Sequence, residues 1–108
     1  MSVIERPITR PKTREQEQVE EGAAWLDEYD PGWDERINLA ELELNDCKQC
    51  VVGQLFGDYY EFLTLTYMGK AQEVDRGFFA DGDHDELEQE EPWARLTEAW
   101  RDEIASRR

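Results

Sequence analysis

Apolar residues fall at helical spacing near both ends of this chain and lose that period in between. Val19, Ala23 and Leu26 repeat as one helix face, widened by Trp25 and Tyr29. Thr13, followed three residues later by Gln16, makes a capping-box start for this helix. Pro31 disfavours helical geometry at Asp30, so the helix is expected to stop near Tyr29. Pro31-Gly32 then turns the chain into one short helical turn over Trp33 to Ile37. At the other end Trp93, Leu96, Trp100 and Ile104 follow at intervals of three, four and four, the clearest amphipathic period present. Pro92 suits the first position of that helix, and Arg107 and Arg108 suit its negative end.

The middle is less regular. Ile37/Leu39 and Leu42/Leu44 alternate as a strand would, but one residue slips between the pairs, which predicts a turn-rich linker whose leucines plug the core. Asn45-Asp46 with Gln49 starts a helix predicted over Cys47 to Phe56, with Gly57 as its stop. Gly53 inside it allows close approach by a neighbouring helix. Tyr59, Phe62 and Leu63 share a further helical face, and Lys70 to Arg76 forms a short helix ending at Gly77. The expectation is all-α: a small irregular domain of about four to five helices over residues 13–108, its terminal helices clamping the cysteine-bearing one. Residues 1–12 read as a flexible basic arm and residues 80–91 as an acidic loop.

At 108 residues the chain has room for one modest core and one domain. Its 12 Lys+Arg against 27 Asp+Glu give a formal charge of −15. Residues 1–14 hold Arg6, Arg10, Lys12 and Arg14 against Glu5 alone, a net +3, so the remainder carries −18. Such a field repels phosphates and anionic lipid headgroups, which argues against direct nucleic-acid or membrane binding. No apolar leader segment precedes the cysteines and no window is long enough to span a bilayer. A reducing cytoplasm with both thiols reduced is the expected setting.

Cys47-Lys48-Gln49-Cys50 is the first place where chemistry could sit. At a helix N-terminus beside Lys48 a thiolate is favoured and its pKa should fall, which suits redox exchange or metal ligation. A zinc site needs four ligands. Cys47, Cys50 and His84 supply three, so a carboxylate must complete the set, or two chains of a homodimer must share four cysteines. Alternatively, Cys50 packs as a small core hydrophobe beside Val51. Asp81, Asp83 and Asp85 match the first ligand positions of an EF-hand loop, but Glu86 stands where glycine is needed and Pro92 where a bidentate glutamate is needed. A solvated loop fits better. No catalytic set or phosphate-binding glycine signature is present, so neither an enzyme nor a cofactor is expected.

The residues Gly22-Ala23-Ala24-Trp25-Leu26-Asp27, Pro31-Gly32-Trp33 and Arg36-Ile37-Asn38-Leu39 resemble those of small uncharacterised proteins of actinobacteria and their bacteriophages. The resemblance continues through Cys47, the run Cys50 to Tyr59, and Leu96-Thr97-Glu98-Ala99-Trp100. It covers roughly residues 20–104, loosely from Thr64 to Glu91. It implies a small intracellular protein of phage origin. It brings no activity and no functional residues.

Four tryptophans and four tyrosines exceed what a core this size can hide. The leading expectation is therefore a non-enzymatic acidic interaction module that binds a host bacterial protein. Its expected contact surface is Trp33, Tyr59, Tyr60 and the acidic Asp81, Asp83 and Asp85. The alternatives are a metal or redox protein built on the cysteine pair, and a nucleic-acid mimic presenting rows of carboxylates.

Overall fold

The Thr13–Gln16 capping box forms as the spacing predicts: the Gln16 amide donates to the Thr13 hydroxyl, and the Thr13 amide to the Gln16 side chain. It opens α1 (Arg14–Tyr29), which ends where Pro31 follows. The computed structural model describes residues 12–108, so most of the basic arm lies outside the described residues. After α1 come a 3₁₀ turn at Trp33–Arg36, α2 (Val51–Phe56), α3 (Tyr59–Thr66), α4 (Lys70–Asp75), α5 (His84–Leu87) and α6 (Glu90–Arg107). No strand occurs among the described residues, so the fold is all-α.

The long helices α1 and α6 lie side by side and parallel. Arg95 reaches Glu15 at 3.5 Å and Arg107 reaches Asp27 at 2.7 Å, each pair 80 residues apart. The contact is close because Gly22 and Ala23 present almost no side chain where Trp100 arrives. The expected clamp of terminal helices around the cysteine helix is thus corrected: α1 and α6 pack mainly on each other, while α2 packs on α3 and the 3₁₀ turn.

Behind this pair runs a line of aromatic contacts. Trp33 meets Trp100 edge to face at 5.7 Å, Phe78 stacks on Trp100, and Phe62 meets Phe78 at 5.3 Å. All four rings are fully buried. Edge-to-face and offset-stacked pairs of this kind add about 0.5–1.5 kcal/mol each beyond their buried area.

The leucine linker does plug the core: Ile37, Leu42 and Leu44 are buried. Its backbone has no ladder partner, so α6 supplies one. The Leu44 amide donates to the Thr97 hydroxyl (3.0 Å), Arg101 donates to the Leu42 carbonyl (3.1 Å), and Arg108 to the Asp34 and Ile37 carbonyls (2.6 Å each).

Around the acidic run two boundaries differ from expectation. The run 80–91 is not one loop. Asp83 accepts from the Glu86 amide and Glu86 reaches back, capping α5. Helix α6 begins at Glu90, two residues before Pro92. First-turn amides have no intrahelical partner, so the proline costs no hydrogen bond there, and Glu90 and Glu91 favour the positive end.

Candidate functional site

Asp46 organises the cysteine turn. Its carboxylate accepts from the Lys48 and Gln49 amides at 2.8 and 3.1 Å, and its carbonyl from the Cys50 amide at 3.0 Å. The chain therefore makes a closed turn over 47–49, and α2 starts at Val51 instead of Cys47. Cys50 becomes the cap: its sulfur accepts from the Gly53 amide at 3.2 Å. The close approach expected at Gly53 is real, but the neighbour is this turn and not another helix. A Cβ there would stand 2.3 Å from the Cys47 carbonyl oxygen. That same oxygen accepts from the Tyr59 amide at 2.8 Å, tying α3 to the turn.

Against this unit lies an apolar recess of about 290 Å³. Leu44, Leu63, Phe78, Phe79 and Trp93 form its walls, and Cys47, Tyr60 and Lys70 stand at its rim. A larger depression of about 810 Å³ lies between α1 and α4, but charged side chains of both signs and amides line it (Arg14, Arg76, Glu17, Glu21, Asp75, Gln72), with no apolar residue among them. The apolar recess is the better candidate site.

Its innermost polar groups are partnered. The Tyr59 hydroxyl donates to the buried Glu73 carboxylate, and Lys70 Nζ lies 3.5 Å from Glu73 and 3.5 Å from the Phe79 ring centre. Burial pushes the Glu73 carboxyl above its usual range and lowers the Lys70 ammonium. Burial also pushes the Cys50 thiol up to about 11, against the Gly53 amide that favours the thiolate. The expected low-pKa thiolate at Cys50 is therefore corrected: desolvation outweighs the helix start. Cys47 is exposed and Cys50 buried, both free.

The predicted site residues separate. Trp33 is fully buried, its indole N–H donating to Asp27 at 2.9 Å, so it offers no contact surface. Tyr59 is 8 % exposed with its hydroxyl engaged. Tyr60 is 69 % exposed at the recess. Asp81 pairs with Arg14, Asp83 caps α5, and Asp85 is exposed on α5. His84 pairs with Glu88 on α5 at 3.1 Å. Cys47, Cys50 and His84 are not brought together: among the described residues no three His, Cys, Asp or Glu side chains form a metal-holding group. The carboxylates are not confined to 81–91, since α1 and α6 carry exposed ones as well.

Sequence reasoning missed Glu73, Lys70 and Phe79. The Tyr59 partner of Glu73 is 14 residues away with no motif between them. It also missed Tyr67, which is 90 % exposed and holds φ 55° at the end of α3. That left-handed conformation is uncommon outside glycine. Among the described residues no helix is long and apolar enough to cross a membrane. Comparison of the chain with protein-family models, curated proteins and solved structures finds no match.

Proposed function

We propose that this chain is a non-enzymatic, acidic protein-interaction module of phage origin that engages a host bacterial protein in the cytoplasm. Its contact surface is the apolar recess with the adjoining edge of α3. The observation that carries this reading is selective exposure. A chain that buries Trp33, Trp100, Phe62 and Phe78 completely leaves Tyr60, Leu65 and Tyr67 at 69, 55 and 90 % exposure on α3 and its cap, against Tyr29 alone, at 49 %, elsewhere among the described residues. Aromatic side chains beside a preformed recess are the usual anchors of protein contacts. The recess holds no buried acid–base pair facing open space, because Glu73 is spent on Tyr59 and Lys70.

The test is site-specific photocross-linking in a bacterial host, with benzoylphenylalanine at Tyr60 and, as control, at exposed Glu28 on α1. A discrete, saturable adduct from position 60 and none from position 28 is expected. Equal background from both positions would refute the reading.

A second reading has one observation in its favour. Glu17, Glu21 and Glu28 are exposed and share one face of α1, a rigid row such as nucleic-acid mimicry needs. It predicts that the protein displaces duplex DNA from a basic DNA-binding protein at physiological salt.

A further inference from the structure

We propose that the recess seats a basic peptide segment of the partner: one large apolar side chain lodges between Leu63, Phe79 and Trp93, and a lysine or arginine within three residues of it meets Glu43 and Glu90. This rests on the interaction-module reading and names the partner's chemistry.

Three observations converge on that chemistry. At about 290 Å³ the recess fits a single large side chain better than a cofactor. Of its polar lining, the Tyr59 hydroxyl is committed to Glu73 and the Cys50 sulfur to the Gly53 amide, while Asn45, Cys47, Tyr60 and Lys70 stand towards solvent. The exposed lining is mostly apolar, so an apolar anchor is the matching occupant. Next to it lies a second recess of about 380 Å³ that shares Asn45, Asp46 and Trp93 with the first. Its charged lining is Glu43, Asp46 and Glu90, with no basic residue. Asp46 is occupied by the turn amides, but Glu43 and Glu90 form no ion pair among the described residues.

The charge pattern also gives a direction. Lys70 stands on the α4 side of the anchor, so the partner's cation belongs on the opposite side, at Glu43 and Glu90. The net charge of −15 adds long-range attraction for a basic partner.

The experiment uses the full ¹⁵N-labelled chain titrated with short capped peptides. The probes are Gly-Gly-Phe-Lys-Lys and its reverse, each with versions carrying alanine for phenylalanine or glutamate for lysine. Saturable shifts are expected at Asn45 to Cys47, Tyr60, Lys70 and the Trp93 indole. The alanine peptides should bind at least about tenfold more weakly, the loss expected for removing a buried aromatic ring. The Glu43→Gln/Glu90→Gln variant should bind the lysine peptides roughly threefold more weakly while binding the anchor unchanged in position. A bound peptide should also slow iodoacetamide labelling of exposed Cys47.

Absence of shifts at millimolar peptide would overturn the proposal. So would shifts spread over the α1 and α6 carboxylates and indifferent to the phenylalanine, which would mark mere counter-charge. Indole or phenol alone saturating the recess as tightly as the peptides would make it a small-molecule site instead. A Tyr60 cross-link with no peptide binding would discard the basic partner and keep the module. Failure of both would discard the module as well.

Discussion

Gly22→Ala puts the packing of α1 to a sharp test, because two effects of known size oppose each other. In an exposed helix interior this substitution stabilises by about 1 kcal/mol, since alanine is the better helix former. Here an added Cβ would stand 2.0 Å from the Arg76 carbonyl oxygen and 3.0 Å from the Trp100 ring. The obstacle is backbone, and it is held from several directions. Gly77 sits at φ 72°, its own Cα side lies against the Gln18–Val19 backbone, and its carbonyl accepts the Trp100 indole N–H at 2.7 Å.

Relief therefore requires moving α1 or the 76–77 turn by about 1 Å, since carbon–oxygen contacts below 3.0 Å are essentially never seen. Such a shift opens space around Val19, Ala23 and Leu26, each no more than 1 % exposed. Overpacking of this kind costs about 1–3 kcal/mol, and losing the Trp100 hydrogen bond adds about 1. Set against the propensity gain of about 1, the net expectation is a loss of about 2 kcal/mol. For a domain of this size that lowers the melting temperature by roughly 8–16 °C. Thermal and urea unfolding followed by helical circular dichroism measures it, with Ala24→Gly at an exposed α1 position as the propensity control. A Gly22→Ala protein that melts at or above the wild-type temperature would refute the close approach.

Three further outcomes follow from single contacts. Thr97→Val leaves the Leu44 amide without its acceptor and should cost about 1–3 kcal/mol in urea unfolding, whereas Thr97→Ser should cost clearly less. Asp27→Ala strands the buried Trp33 indole N–H and should also cost about 1–3 kcal/mol, but Asp27→Asn keeps that acceptor and loses only the half-exposed Arg107 pair, at most about 1. Hydrogen bonding from Arg107 holds the Asp27 carboxyl below its usual range, so this contribution is complete above the ordinary carboxylate range and fades as pH falls through the lowered folded value. Glu73 has the opposite sign. Burial raises its folded pKa, the native state holds the extra proton, and stability is lost as pH rises from the ordinary carboxylate range through the folded value. Glu73→Gln should therefore gain on wild type as pH rises through and above the ordinary carboxylate range, and a difference that does not change with pH would count against the buried carboxyl.

What could be read from the chain follows the range of the forces involved. The capping box at Thr13, the stop at Pro31 and the 3-4-4 period of α6 are local, and each formed. Trp33 was misread because a tryptophan after Pro-Gly looks like a turn residue. Its burial depends on Asp27 taking the indole proton and Arg107 lying 5.2 Å above the ring, and Arg107 comes from 74 residues further on. The α5 turn had a visible signal in Asp83 and Glu86 at capping spacing, overridden by the weight of charge around it. The cysteine turn shows a closer competition. Asp46 could cap a helix or close a turn. It closes the turn, which brings Cys50 to the cap of α2 and the Cys47 carbonyl to the start of α3.

The recess itself had no local signal, since its walls run from Leu44 to Trp93 and join only when α3, α4 and α6 converge. Its placement nevertheless has a physical logic. The cysteine turn cannot fill space: it is short, polar at Asn45 and Asp46, and held by amides pointing at one carboxylate. Phe79 and Leu63 line it without filling it, and Trp33, Trp100 and Phe62 are committed to the line of rings packed against α1 and α6. Apolar surface is thus left over where the irregular cysteine turn meets α3, α4 and α6. The surrounding acids cannot cover it, since each added carboxylate there would have to give up water or meet Glu43 and Glu90. A partner bringing both an apolar side chain and positive charge would remove both costs at once, so binding and local order at the cysteine turn should rise together. Slower amide exchange at Cys47 to Cys50 on peptide binding is the measurable form of that coupling.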